Sequence, residues 1–329
     1  MLFEDLDLSK TVDVLVNAAS RAFGSMINKY YYIDGFDYLT YKKLYEALVI
    51  PVLSYGAAIW GVKTFPKCET LQHRVMRTFL GACKATPLPV LFYDLQWTPI
   101  SVICKLEAIK YWHKLCSLPE NRLTRKCFMT DKLISSNKQR SWCYQIKTML
   151  TNAGVTTVWE DNNNAELSSR YITDCVKNVL VLNFYNDLSS RMENMSRLTM
   201  YKQLDLSNIP SVYCTIRNRH FRSVIVKLRS NTIPVEMELG RYRGIPAENR
   251  LCSKCNSNSI EDDTHILFDC SFYLEDREQF INTIFEYDPF LFQLNSREKV
   301  IYILNSDNLY ILIVLAKFLI TILKKRQLF

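Results

Sequence analysis

Turn-forming residues are scarce in this sequence. The chain of 329 residues has 8 glycines and 10 prolines. Because tight turns depend on these two residues, their scarcity argues against a fold of many short strands joined by turns. Apolar residues make up 48% of the chain, which is enough for two or three compact units with their own cores. We therefore predict an all-α architecture of helical bundles.

A basic leader and a long apolar run are also lacking. The chain begins with Met1 followed closely by Glu4 and Asp5, whereas a secretory signal begins with basic residues. The one membrane candidate, Leu309 to Leu323, is shorter than the roughly twenty residues that cross a bilayer. We expect a buried terminal helix there, no membrane partner and an intracellular protein. Of the 11 cysteines, the seven or eight that lie alone inside apolar patterns would then be reduced, buried thiols.

Positive charge is concentrated in two parts of the chain. Residues 41–150, the first basic block, contain 17 Lys and Arg against 6 Asp and Glu. Residues 201–250, the second basic block, contain 9 against 4. Such blocks favour a polyanionic partner, here RNA or DNA. A basic surface that is only solvated is the alternative.

Helical periodicity recurs through both blocks. In the range 39–62 the predicted apolar face comprises Leu44, Ala47, Leu48, Pro51, Val52, Tyr55 and Ile59. Pro51 either kinks this helix or begins a second one, because it lacks a backbone donor. Two further stripes comprise Cys68, Leu71, Val75, Phe79 and Leu80, and then Phe221, Val224, Ile225 and Leu228.

Basic side chains are predicted on the polar faces of these helices or close to them. Phosphate contacts from such residues position a protein on nucleic acid without reading its sequence. The candidate nucleic-acid contacts are Lys67, Arg74, Arg77, Lys84, Arg219, Arg222 and Arg229. For each of them an exposed, solvated charge is the alternative.

Cysteine and histidine cluster near the C-terminal end. Cys252 and Cys255 are separated by two residues, His265 follows after nine more, and Cys270 after another four. Two pairs of ligands at this spacing can hold one Zn²⁺ tetrahedrally. Because protein fills all four positions, the pattern predicts a structural rather than a catalytic zinc. Four unrelated reduced side chains are the alternative.

Acidic residues precede the histidine of this cluster. We expect Glu261, Asp262 and Asp263 to form a solvated turn, the alternative being a role in orienting the histidine ring. Asp262 and Asp263 are the only adjacent aspartates in the sequence. Neither a Ser-His-Asp arrangement nor a phosphate-binding glycine loop is readable, so we do not expect an enzyme.

Three stretches carry a family resemblance. They are the segment from Leu44 through Pro51, Tyr55 and Gly56 to Trp60; the helix Leu71–Arg77 followed by Leu80 and Gly81; and Gly240-Arg241-Tyr242, Arg250, the four cluster residues, Glu261-Asp262-Asp263, Tyr273 and Arg277. In order, they resemble a thumb segment, the helix after it and the zinc knuckle of LINE-type (non-LTR) retrotransposon reverse transcriptases.

The resemblance implies a function. Members of this family copy RNA into DNA at a nicked chromosomal target, and their C-terminal region is implied to help hold RNA or target DNA. The polymerase palm, with its Tyr/Phe-x-Asp-Asp carboxylates, would lie upstream of Met1, so this chain would act only with a reverse transcriptase domain in cis or in trans. The nucleus is then a plausible compartment. The alternatives are a zinc-stapled helical scaffold for protein partners and a domesticated or non-functional retroelement remnant.

Four regions follow from these features. They are a thumb-like helical region at 1–125, a helical connector at 126–250, the zinc knuckle at 251–277 and C-terminal helices at 278–329. Asn- and Ser-rich stretches around Ser136 and Asn163 predict a linker or mobile boundary within 118–170.

Overall fold

Helices dominate the computed structural model, which describes residues 8–33, 35–135, 141–160, 168–207 and 211–328. The structure is 74% helical, and the described residues form no strand, so the all-α prediction is confirmed. The α-helices are α1 (Ser9–Tyr32), α2 (Tyr38–Leu44), α3 (Ile50–Leu53), α4 (Ala57–Trp60), α5 (Pro66–Leu80), α6 (Leu88–Leu95), α7 (Ile100–Cys116), α8 (Leu123–Ile134), α9 (Trp142–Asn152), α10 (Thr157–Glu160), α11 (Ser169–Glu193), α12 (Arg219–Arg229), α13 (Glu236–Tyr242), α14 (Leu274–Tyr287), α15 (Ser296–Leu304) and α16 (Leu309–Leu328). Short π-helical turns cover Tyr45–Val49 and His265–Asp269, and 3₁₀ turns cover Ser196–Leu198, Tyr201–Gln203, Val212–Thr215, Ala247–Asn249, Ser271–Tyr273 and Pro289–Gln293.

The chain divides into two compact units. Unit 1 comprises Met1–Lys29, Lys42–Arg74 and Trp97–Leu188, and unit 2 comprises Tyr30–Tyr41, Val75–Gln96 and Ser189–Phe329. The four regions inferred from the sequence stay a prediction. Of the predicted linker, residues 136–140 and 161–167 lie outside the described ranges.

Unit 1 has its core among α7, α8, α9 and the start of α11. Trp112 of α7 stacks on Trp159 with ring centroids 6.2 Å apart. Gly61, just after α4, lies so close to α7 that a Cβ there would be 2.3 Å from the Cys104 carbonyl oxygen. Only glycine tolerates this approach, which positions α4 beside α7.

The apolar face predicted for 39–62 is wrong. The buried side chains follow a spacing of four residues instead and are Tyr41, Tyr45, Val49, Leu53 and Ala57. Leu48, Tyr55 and Ile59 of the predicted face are exposed. The π-helical turn Tyr45–Val49 helps keep this spacing on one face, because its wider turn offsets the rotation that an α-helix gives to residues four apart.

The turn after this segment agrees with the sequence pattern. Residues 38–53 are helical without a break, and Pro51 follows the π-helical turn inside that run, so it interrupts the hydrogen bonding of a continuous helix rather than beginning a second one. Gly56 turns the chain with a φ of 69°, a conformation that favours glycine. The indole N–H of Trp60 then donates to the Tyr55 carbonyl at 2.9 Å.

Two predicted helices bury the expected residues. The stripe on α5 is confirmed, because Cys68, Leu71, Val75, Phe79 and Leu80 are all buried. In unit 2, α16 packs against α12 and α14 and buries Leu312, Leu315 and Leu319, as predicted for a terminal helix. Every described helix falls short of the length and apolarity that a membrane span requires.

Candidate metal centre

The four cluster residues predicted from the sequence come together in unit 2. The Sγ atoms of Cys252, Cys255 and Cys270 and a ring nitrogen of His265 all lie within 4.8 Å of one another. Cys252 Sγ is 3.9 Å from Cys270 Sγ, and Cys255 Sγ is 3.3 Å from His265 Nε2. Cys252, His265 and Cys270 are buried, and Cys255 is half-buried.

These distances fit a single metal ion. In a tetrahedral site with metal–ligand bonds of about 2.0 to 2.3 Å, the ligand atoms lie roughly 3.5 to 3.8 Å apart. A disulfide would need sulfurs about 2.05 Å apart, whereas the sulfurs of Cys252 and Cys270 are 3.9 Å apart. The group can therefore hold a metal ion with all four positions supplied by protein.

A small hairpin positions the first ligand pair. Leu251 and Ile260 form an antiparallel bridge, and the Cys252 N–H donates to the Ser259 carbonyl at 2.9 Å. Inside this loop the Lys254 N–H points at Cys252 Sγ, 3.4 Å away. Backbone N–H groups directed at sulfur stabilise the thiolate form, so the turn between the two cysteines suits metal ligation.

A π-helical turn positions the second pair. The Cys270 N–H donates to the His265 carbonyl at 2.7 Å, closing a five-residue ring. Four residues separate His265 from Cys270. The wide π-helical turn brings Cys270 back beside His265, so both side chains can reach one metal ion. Asp262 Oδ1 accepts the His265 N–H at 2.8 Å and starts the turn.

Arg277 of α14 stabilises this π-turn through hydrogen bonds to its carbonyls. Its side chain is buried, and it donates to the Leu267 carbonyl and the Cys270 carbonyl, both at 2.7 Å. Carbonyls at the end of a helical turn lack backbone partners, and the guanidinium supplies them. Arg277 thus connects α14 to the segment that carries His265 and Cys270.

Glu261 connects the knuckle to the end of the chain. It is fully buried, and Glu261 Oε2 accepts Arg326 Nη2 at 2.7 Å and the Glu236 N–H at 2.7 Å. Asp263 is buried as well. The solvated acidic turn expected before His265 is therefore wrong, because two of its three carboxylates face the protein interior.

Cysteine pKa values differ within the cluster. Burial raises the pKa of the Cys252 thiol and raises that of Cys270 to about 12. Burial also acts upward on Cys255, but hydrogen bonds from the Ser257 hydroxyl and backbone outweigh it and lower the pKa of Cys255 to about 6. A coordinated metal cation deprotonates thiols outright.

Two predicted nucleic-acid contacts on α12 are corrected by the structure. Arg222 is 0% exposed and Arg229 is 3% exposed, so neither can reach a phosphate. Arg222 Nε donates to the Phe79 carbonyl at 3.1 Å, and its guanidinium lies 4.1 Å from the Phe79 ring centroid. The helix is buried on both sides, whereas its sequence pattern resembles that of a surface helix.

Arg229 belongs to a buried ion pair. Arg229 Nη2 donates to Asp94 Oδ1 at 2.8 Å. The same carboxylate accepts hydroxyl hydrogen bonds from Tyr201, Ser211 and Tyr213. Although burial lowers the pKa of Arg229, Asp94 raises it above its usual value. Both charges of the pair therefore have hydrogen-bond partners, which a buried ion pair requires to be stable.

The other predicted contacts divide into two groups. Lys67, Arg74 and Lys84 are exposed, and Lys67 forms an ion pair with Asp13. Arg77 and Arg219 are half-buried. Arg77 donates to the Thr86 carbonyl at 3.2 Å and Arg219 to the Thr78 carbonyl at 3.1 Å. The side chains of the first group are therefore more exposed than those of the second.

Comparison of the chain with protein-family models, with curated proteins and with solved structures gives no match. The resemblance to reverse transcriptases therefore stays a prediction from the quoted residues.

Proposed function

We propose that this chain is a zinc-stapled helical module that binds the phosphate backbone of RNA or DNA, as the non-catalytic C-terminal part of a LINE-type reverse transcriptase. The exposed charge of the first basic block supports this most. Its exposed cations are Lys43, Lys63, Lys67, Arg74, Lys84, Lys110, Lys114, Arg122, Lys126 and Lys147. Among its described residues the exposed carboxylates are Glu46 and Glu120.

This imbalance favours a polyanion over a neutral partner. Each phosphate neutralised by a lysine or arginine releases condensed counterions, which drives binding at low salt. Such contacts carry no sequence information, so the module binds many sequences with similar affinity. The surface of a protein scaffold would be expected to carry more mixed charge at this density.

Salt titration tests the proposal. We expect fluorescence anisotropy with labelled single-stranded RNA to show binding that weakens with a slope of log K against log salt of roughly −3 to −4, as four to six phosphate contacts would give. Duplex DNA is titrated in parallel to establish which nucleic acid is preferred. Absence of binding at low salt, or binding insensitive to salt, would favour the scaffold interpretation.

Zinc is the metal we propose for the cysteine and histidine group. Thiolates together with an imidazole at tetrahedral positions suit Zn²⁺ better than magnesium or calcium, which prefer oxygen ligands. Zinc bound there would supply folding energy to the knuckle. Metal analysis of the purified chain should give one zinc per chain, and Cys270→Ser should abolish it. Another metal at full occupancy would refute the assignment.

Catalysis is assigned to another polypeptide segment. We propose that the chain extends no primer with Mg²⁺ or Mn²⁺ and acts with a reverse transcriptase domain in cis or in trans. A primer-extension assay on the purified chain checks this. Template-dependent incorporation that co-purifies with the chain through successive columns would contradict it.

A further inference from the structure

We infer that unit 1 carries a docking groove for an acidic amphipathic helix of a partner protein. The groove has a volume of about 250 Å³ and lies among α4, α7, α8 and α9. Its apolar wall includes Ile59, Tyr111, Leu123, Cys127, Phe128 and Trp142. The groove is defined by apolar side chains, although the cations at its rim also belong to the first basic block.

The lip of the groove is apolar and exposed. Leu123 is 75% exposed, and Cys127, four residues later on α8, is the exposed cysteine of the chain. Residues at this spacing share one helix face. Ile59 of α4 is 45% exposed and also lines the groove. Grouped exposed apolar side chains of this kind mark interaction surfaces.

Charge around the groove identifies the partner. Arg122 and Lys126 on or beside α8 and Lys114 on α7 are exposed, against one exposed carboxylate, Glu120, in the described range 111–135. The carboxylate in the groove wall, Asp131, accepts an N–H from the first turn of α9 at 2.9 Å. It is therefore already engaged, and the exposed rim is positive.

An amphipathic helix satisfies both features. Its apolar residues, spaced by three and four positions, would enter the groove, and its flanking Glu and Asp would meet the rim cations. A nucleic-acid strand would use the cations but leave Leu123 and Ile59 without an apolar neighbour. A protein helix is therefore favoured over RNA at this site.

Cys127 provides a local readout in the whole 329-residue chain with its metal bound. Three probes are compared: a labelled peptide of about 15 residues with Leu and Phe at helical spacing and Glu elsewhere, the same peptide with Lys for each Glu, and single-stranded oligouridylate. We expect micromolar binding of the acidic peptide by fluorescence anisotropy. That peptide should also slow alkylation of Cys127 by N-ethylmaleimide, measured by peptide mass mapping.

Two variants of α8 form a matched pair. Leu123→Glu should weaken the acidic peptide by about tenfold or more, because it places a charge on the apolar lip beside the peptide's own carboxylates. Leu133, 76% exposed on the same helix, does not line the groove. Leu133→Glu should change the affinity by less than about twofold, and the lysine peptide should bind at least about tenfold more weakly than the acidic one.

Several outcomes would overturn the inference. Equal binding of both peptides would remove the charge argument. Equal weakening in the two variants would place the peptide elsewhere. Protection of Cys127 by oligouridylate but not by peptide would make the groove part of a nucleic-acid surface. Concentration-dependent self-association that protects Cys127 without peptide would make a second copy of the chain its occupant.

Discussion

The two basic blocks have the same sign of charge and opposite structural roles. The first, 41–150, exposes ten of its cations among the described residues. In the second, 201–250, Arg222 and Arg229 are buried and Arg250 donates to the Ile245 and Met237 carbonyls. The first block therefore charges the surface, whereas the buried arginines of the second stabilise the interior of unit 2 and its Arg217, Arg241 and Arg243 are exposed. Net charge alone does not distinguish these roles.

The difference comes from what each arginine can reach. Guanidinium groups have five donors in a planar fork, so they can satisfy several carbonyls at once inside a protein. Arg222 uses this fork on the carbonyls of Phe79 and Arg217. Lysine has a compact, strongly hydrated charge that is costly to bury. The exposed cations of the first block are mostly lysines, which agrees with this preference.

The largest effect is expected in the second block. Arg229→Met should lower the free energy of unfolding by about 3–5 kcal/mol, because Asp94 would be left buried without its cation. Urea unfolding followed by circular dichroism measures the change. The matched first-block variant, Lys147→Met, should change it by less than about 0.5 kcal/mol. Equal destabilisation by the two variants would remove the distinction between the blocks.

An intermediate effect, on metal affinity, is expected at the metal centre, where the buried Arg277 donates to carbonyls of the π-turn. Arg277→Gln should weaken metal affinity by about 10- to 100-fold, because the carbonyls of the π-turn would no longer have their donor. Competition with a chromogenic chelator measures the affinity. Arg217, an exposed arginine that precedes α12, provides the control, and Arg217→Gln should leave the affinity unchanged. An unchanged affinity in Arg277→Gln would show that the π-turn holds its shape alone.

A smaller effect is expected on nucleic-acid binding. Replacing Arg74 and Lys84 by Ala together should flatten the salt slope by about 1.4, because each neutralised phosphate of a single strand contributes roughly 0.7 to that slope. Replacing Arg241 and Arg243 of the second block should leave the slope unchanged, because both already pair with glutamates. A larger change from the second pair would reverse the comparison.

The smallest effect is expected at an exposed ion pair of unit 1. Lys67 lies against Asp13, and both side chains are solvent-accessible. Exposed pairs contribute about 0.2–1 kcal/mol and are screened by salt. Asp13→Asn should therefore reduce stability by no more than about 1 kcal/mol, measured by thermal unfolding at low salt. Destabilisation as large as that of Arg229→Met would show that surface charge also stabilises the fold.

Local patterns predicted much of the fold and of the candidate site. The α5 stripe was readable because it repeats at a regular helical spacing, and the ligands of the knuckle were readable because Cys252–Cys255 and His265–Cys270 are pairs close in sequence. The buried face of 39–62 was predicted wrongly, and it differs from the predicted face from Tyr41 onward, before the π-helical turn begins. That segment has apolar residues on more than one side of the helix. Helical periodicity alone therefore does not decide which side is buried.

Long-range partners could not be predicted from one sequence. Arg229 meets Asp94 across 135 positions and Arg326 meets Glu261 across 65. No local spacing connects such residues. The arginines of α12 also occupy the positions of a polar face, so their burial could not be distinguished from exposure until the neighbouring helices were placed.

The ion pair between Arg326 and Glu261 makes the knuckle depend on codons far downstream of its own. A stop codon or change of reading frame within α16, at or before codon 326, leaves the codons of all four cluster residues intact. The translated chain nevertheless loses the cation that holds the buried Glu261, and with it a support of the knuckle. A mutation in the codons of α16 thus affects a site encoded well upstream, which makes this short coding segment sensitive to mutation.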